Sequence, residues 1–320
     1  WLRRMNRLPV EDAIPDLLAA LKRDRLGVLQ APPGAGKTTR VPLAMLDASV
    51  CDGRIVMLEP RRLATRAAAA RMAETLGEPV GQTVGYRIRG DAKTSPATRI
   101  EVVTEGILTR MIQSDPGLEG IGAVIFDEFH ERSLNADLGL ALALEVRETL
   151  RPDLILLAMS ATLDAAPVAA LMGAQVIKSE GQSFPVTTQW LDKPLGPRAR
   201  WDVAMADLIR STLAETAGGV LAFLPGEGEI RRVTQNLGEL PATTVLPLYG
   251  ALAFKAQQAA LIPTKSRKLV LATSIAETSL TIPDISVVVD GGLARRARFD
   301  TGSGLSRLIT ERVTRAEADQ

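Results

Sequence analysis

"GVLQAPPGAGKTT" (residues 27–39) runs from a short apolar stretch, through a loop with two glycines, into residues that read as the start of a helix. As strand, loop and helix it fits the pattern G-x-x-x-x-G-K-[ST], with Ala31 in place of the first glycine. Gly34 and Gly36 let backbone N–H groups converge on the β- and γ-phosphates of a nucleotide, and the helix N-terminus adds its dipole. Lys37 brings a point charge to those oxygens. The Thr38 hydroxyl is a candidate ligand for Mg²⁺, which keeps several waters and takes few protein ligands. Pro33, Ala35 and Thr39 complete the expected cradle. The bland alternative is an ordinary strand-to-helix turn, but G-x-G-K-T-T between strand and helix is a specific signal.

Phosphoryl transfer to water needs a second, acidic element to hold the metal and position the nucleophile. "AVIFDEFHERS" (123–133) supplies one. Asp127 ends an apolar run and can reach Mg²⁺ through its water shell. Glu128 is the candidate for orienting and deprotonating the attacking water. His130, the single histidine of the chain, stands two places further on. Catalytic candidates are therefore Glu128, Lys37, Asp127 and His130, with Thr38 and Asp127 on the metal.

The bulk of the sequence is compatible with this. At 320 residues it exceeds what one core usually serves, so two domains are expected. Hydrophobic residues make up 46% and charged residues 23%, an ordinary globular balance. No segment reaches the ~18 apolar residues that span a bilayer, and "WLRRMNRLPV" has no apolar core of a secretory signal. Met5 reads as a natural start. Cys51, alone, rules out an internal disulfide and fits a reducing cytoplasm. The net charge of +1 names no partner, although 30 of the 38 basic residues are arginine, the side chain better matched to phosphate.

Short apolar runs alternate with helical patterns along the whole chain. Strands are expected at 27–30, 54–60, 98–104, 123–128, 154–161, 220–225, 243–250, 268–273 and 285–291. Helices are expected at 61–77, closed by Gly77, and at 134–150, capped by Ser133 or Asn135. Runs apolar on both faces, separated by helices, argue for parallel α/β sheets. The pattern breaks at "EGQSFPVTTQWLDKPLGPRARW" (180–201), where prolines and glycines cluster. Residues 1–8 read as an unordered or vector-derived N-terminus, 9–181 as the first domain and 182–320 as the second.

Asp-Glu-x-His downstream of a phosphate loop resembles motif II of superfamily 2 helicases of the DEAH/RHA group. Other motifs of that group follow in order: "LEPRRLAT" (58–65) resembles motif Ia, "TEG" (104–106) Ib and "SAT" (160–162) III. "LAFLPGEGEI" (221–230) resembles IV and "LATSIAETSLTIPDI" (271–285) resembles V. The phenylalanine in "DEFHERS", the "APPGAGKTT" loop and "LPLYGAL" are most similar to the bacterial HrpB-type enzymes. The resemblance implies two RecA-like domains, ATP and Mg²⁺ as cofactors, and single-stranded RNA, or DNA, gripped by its backbone. It implies that His130, Ser160 and Thr162 couple the nucleotide site to domain closure. Arg61, Arg62 and Thr104 would contact the sugar-phosphate backbone from the first domain and Thr273 from the second, with Arg87 and Arg89 as weaker candidates. Arg71 and Leu293 would clamp the adenine. A cytoplasmic monomer without membrane contact is the expected state.

Two departures bear on the expectation. Ser274 stands where the group usually has Asn in motif V. The chain also stops at Gln320, where motif VI with its phosphate-neutralising arginines would begin, so the second domain is expected to be short and turnover slow. Three alternatives stay open: a DNA-directed motor, a nucleotide-gated RNA-binding module, and a phosphate-loop ATPase of another kind. The last accounts for the loop and the acids but not for "PRR", "SAT" and "AETSLTI" in order.

Overall fold

The computed structural model describes residues 7–161, 165–180, 185–193, 195, 200–277 and 282–319. The chain divides into two compact units, Trp1–Pro185 and Val186–Gln320. The boundary expected at residue 181 falls outside the described residues.

The first unit opens with a 3-10 turn (Pro9–Asp12), α1 (Ile14–Asp24), β1 (Leu26–Gln30), α2 (Lys37–Asp47), β2 (Arg54–Glu59) and α3 (Arg62–Leu76). There follow β3 (Val84–Ile88), β4 (Asp91–Lys93), β5 (Ile100–Thr104), α4 (Glu105–Ser114) and β6 (Ile121–Phe126). The unit closes with α5 (Leu134–Thr149), β7 (Ile155–Ser160), α6 (Ala166–Met172) and β8 (Val176–Lys178). Its sheet has the order β4-β3-β5-β2-β6-β7-β1-β8. Leu17, Leu21, Val41, Met45, Ala69 and Met72 cover one face, against Leu29, Met57, Val102, Ile125 and Leu157. Leu108, Leu140, Ala143 and Met172 cover the other, against Val56, Val124 and Leu156. Helices on both faces explain why these strands lack polar alternation. Gly77, at φ 73°, ends α3 as a left-handed cap. Ser133 rather than Asn135 caps α5, its Oγ accepting the Ala136 N–H at 2.9 Å.

The second unit contains α7 (Trp201–Glu215), β9 (Gly219–Phe223), α8 (Glu227–Leu237), β10 (Thr243–Leu248), α9 (Phe254–Leu261) and β11 (Arg267–Ala272). It ends with β12 (Ile285–Asp290), β13 (Leu293–Asp300), β14 (Leu305–Arg312) and α10 (Arg315–Asp319). The parallel sheet β10-β11-β9-β12 packs Val220, Leu269 and Leu271 against Ile209 and Val233. Lys268 is buried in β11, yet its ammonium is satisfied by the carbonyls of Ile262 at 2.7 Å and of Ala260 and Pro283 at 3.3 Å.

Parallel pairing, expected throughout, fails at two places. β3–β4 and the separate hairpin β13–β14 are antiparallel. Their connections, residues 89–90 and 301–304, are too short for the crossover that parallel strands require. Among the described residues no helix is long and apolar enough to cross a membrane.

Candidate active site

Because β1, β2, β5, β6 and β7 run parallel, their carboxyl ends share one edge of the sheet, where open α/β folds place their ligands. The loop leaving β1 holds Gly34 at φ 76° and Gly36 at φ 91°, both left-handed. The two glycines answer different needs. A Cβ on Gly34 would meet nothing within 4 Å, so only its backbone angle demands glycine. A Cβ on Gly36 would also lie 2.5 Å from Cδ1 of Leu8. The segment before α1 supports the loop from below. The Val10 N–H donates to the Ala35 carbonyl at 3.1 Å, and Glu11 pairs with the buried Arg40 of α2 at 3.2 Å. The Ala31 N–H donates to the Ser160 carbonyl at 3.0 Å, tying the loop to the end of β7.

Lys37 and Thr38 open α2 and meet the acids beyond β6. Lys37, 4% exposed, donates from Nζ to Oε1 of Glu128 at 2.9 Å. Thr38 donates from Oγ1 to Oδ2 of Asp127 at 2.5 Å. Asp127 continues the ladder beside β2 by donating its N–H to the Leu58 carbonyl at 3.1 Å. Glu128, at φ 51°, leaves the ladder in the left-handed region, and its own N–H donates to Oδ1 of Asp127 at 2.8 Å. Pro33, Ala35 and Thr39 lie in the loop and the first turn of α2, as the sequence order requires.

Burial sets the protonation of this cluster. Burial, then the charge of Asp127, pushes the Glu128 carboxyl up to about 7, although Lys37 pulls it down. Burial works against the Lys37 ammonium, but Asp127, Glu128 and Glu59 more than offset it and hold the pKa above the ordinary value. Glu59, at the end of β2, is fully buried. Burial, followed by the charges of Asp127 and Glu128, drives its carboxyl well above the usual range.

His130 sits on the 3-10 turn that follows. Burial, then Lys37, lowers its pKa to about 4. Its Nδ1 accepts the Ala161 N–H at 3.2 Å, which leaves the proton of the neutral ring on Nε2. The 3.4 Å approach of Nδ1 to Oε2 of Glu128 is therefore not an ion pair near neutral pH. Ser160 is buried at the end of β7 beside this ring, and the two line a cavity of about 70 Å³. Thr162 lies outside the described residues.

The arginine candidates separate by partner. Arg61 precedes α3 and reaches Oε2 of Glu131 from Nη2 at 3.3 Å. Arg62 donates from Nη2 to the carbonyl of Arg89 at 3.2 Å, which brings those two candidates together. Arg87 is committed through Nε to the fully buried Glu101 at 2.7 Å, an acid that also holds Arg54. Arg71 pairs with Glu74 at 2.7 Å on the exposed side of α3. Thr104 stands at the N-cap position of α4, at the end of β5 and opposite Glu59 in the register, so Arg61, Thr104 and Asp127 share one edge. In the second unit, Thr273 follows β11 and donates its N–H to the Leu248 carbonyl at 3.0 Å, while Leu293 opens β13.

Sequence reading passed over Glu59, Glu131 and the Glu11–Arg40 pair. The first had a visible signal, an acid closing a strand that is otherwise apolar, at the edge shared with Asp127. Among the described residues no group of three or more His, Cys, Asp or Glu side chains could hold a metal. A Mg²⁺ held by one hydroxyl and one carboxylate, the rest of its shell coming from phosphate and water, needs none.

The DEAD/DEAH box helicase profile matches residues 11–171. The chain is 52% identical over 321 residues to the ATP-dependent RNA helicase HrpB of Escherichia coli (strain K12), covering 99% of this chain and 39% of that protein. It is 35% identical over 324 residues to the ATP-dependent RNA helicase HrpA of the same organism, covering 98% of this chain and 25% of the relative. The crystal structure of the Escherichia coli DEAH/RHA helicase HrpB superposes with a TM-score of 0.92 at 51% identity, over 98% of this chain and 40% of that one. The chain thus spans about two fifths of the length of HrpB.

Proposed function

This chain belongs to the DEAD/DEAH box helicase family, and on that premise we propose that it binds ATP with Mg²⁺ and couples hydrolysis to movement on single-stranded RNA. The observation that carries the proposal is the convergence of Lys37 and Thr38 on Glu128 and Asp127 at one sheet edge. Thr38 and Asp127 fit a Mg²⁺ ion, a hydroxyl and a carboxylate oxygen held side by side at 2.5 Å. When bound, the metal neutralises charge that develops on the phosphate oxygens. Lys37 exchanges Glu128 for the terminal phosphate as nucleotide enters, which frees the carboxylate to face water. A carboxyl near 7 is matched to taking a proton at neutral pH. The relatives named RNA helicases support RNA as the strand, and Arg61, Arg62 and Thr104 are side chains of the kind that contacts phosphate and sugar.

The test reads binding and turnover separately. Lys37→Ala is expected to weaken Mg²⁺-dependent binding of a fluorescent ATP analogue by about 10- to 100-fold. Glu128→Gln should bind the analogue but lose about 10²–10⁴ in turnover. Equal turnover in Glu128→Gln and the parent sinks the hydrolytic reading. Oligomers of RNA and DNA of matched sequence, each added to the ATPase assay, separate the two strand chemistries.

A further inference from the structure

The turn that carries His130 sends a third side chain in a different direction. Phe129–Glu131 form one 3-10 turn between Glu128 and Arg132, both at φ 51°. Neither is glycine, so each left-handed residue costs roughly 1 kcal/mol or more and needs outside support. The support comes from side chains. Glu128 holds Lys37, His130 accepts from Ala161, and Ser133 donates to Glu105 at 2.6 Å. Glu131 takes Arg61, and the two side chains are only 18% and 23% exposed. The Glu131 N–H also donates to the Glu128 carbonyl at 2.9 Å, so a shift of one is felt by the other.

Arg61 is the residue whose expected ligand is a backbone phosphate, and a carboxylate offers a guanidinium the same planar pair of oxygens. We infer that Glu131 is a positioning residue that occupies Arg61 in place of a nucleic-acid phosphate. With no strand bound, the ion pair fixes the turn and Glu128 rests on Lys37. An arriving phosphate draws Arg61 away from Glu131, and the turn bearing Glu128 loses that restraint on its movement toward the nucleotide. Strand occupancy is thereby reported to the hydrolytic carboxyl within the first unit. By reciprocity, whatever loosens the turn on the nucleotide side also favours the strand. The inference rests on the proposed role of Arg61 as a backbone contact.

The experiment is a double-mutant cycle in the full chain, read by anisotropy of a fluorescent oligouridylate. Glu131→Gln keeps the shape and removes the competing charge, so it should bind the strand about 2- to 5-fold more tightly than the parent. Arg61→Ala should bind more weakly, and Glu131→Gln should add nothing in that background. Glu131→Asp, which retains the charge, should bind like the parent. The ratio of ATP turnover with and without oligouridylate should fall toward one in Glu131→Gln. A purely structural ion pair would lower the melting temperature without tightening binding, and that result overturns the inference. So does a gain that persists without Arg61, because it would reflect only the removal of a negative charge. If Arg61→Ala leaves strand affinity unchanged, the role given to Arg61 fails first and the inference with it.

Discussion

Glu128 and His130 stand two residues apart, and the same burial moves them in opposite directions, up to about 7 and down to about 4. Both shifts favour the neutral form. The consequence for His130 is a pH dependence of stability with a definite sign. Between its ordinary value of 6.5 and about 4, the unfolded chain binds a proton that the folded chain refuses. Stability is lost as pH falls through that window and levels off below it. His130→Asn keeps an acceptor for the Ala161 N–H and removes the titration. Its urea-unfolding free energy relative to the parent should therefore rise steadily from pH 6.5 to pH 4. The opposing slope from Glu128 is common to both proteins and cancels in the difference. A flat difference would mean that the ring is solvated. Lys37 was legible from the glycine pattern of its loop, and Asp127 and Glu128 because they close an apolar run that reads as a strand. Glu59 carried the same kind of signal, an acid closing an apolar strand, but no sequence motif singled it out.

At the scale of the element, the phosphate loop is shaped as much by its supports as by its glycines. Gly34→Ala adds only left-handed strain, about 1–2 kcal/mol. Gly36→Ala adds the same strain and a collision with Leu8. Urea unfolding should show a larger loss for Gly36→Ala, and Leu8→Ala in that background should recover the collision but not the strain. Equal losses for the two glycine variants would remove Leu8 from the account. All nine strands expected from apolar runs form, within a few residues of their expected ends. Those passed over carry weaker signals. β3 is broken by Gly85, which lets the Lys93 carbonyl approach closely. β8 is a three-residue edge. The hairpin strands "LARRARFD" and "LSRLITER" contain no buried residue, so no buried face stamps a hydrophobic run on them.

The molecule as a whole is two units joined by a stretch in which residues 185–193 are exposed and lack regular structure. Trp190, 84% exposed, offers chymotrypsin an extended site there. Limited digestion should cut after Trp190 before any site within β1–β8, and the released first fragment should retain binding of the ATP analogue. Early cleavage inside the first sheet would contradict the compactness of that unit.

The position of Trp190 also makes the two units optically distinct. Trp201 opens α7 in the second unit, and no described residue of the first unit is a tryptophan, while Tyr86 is buried in β3. In a Trp1→Phe, Tyr249→Phe variant, indole emission follows the tether and the second unit, whereas the remaining tyrosine signal, that of Tyr86, follows the sheet of the first unit. Melting curves recorded in those two channels amount to an unlabelled readout of whether the units lose their structure together or in turn.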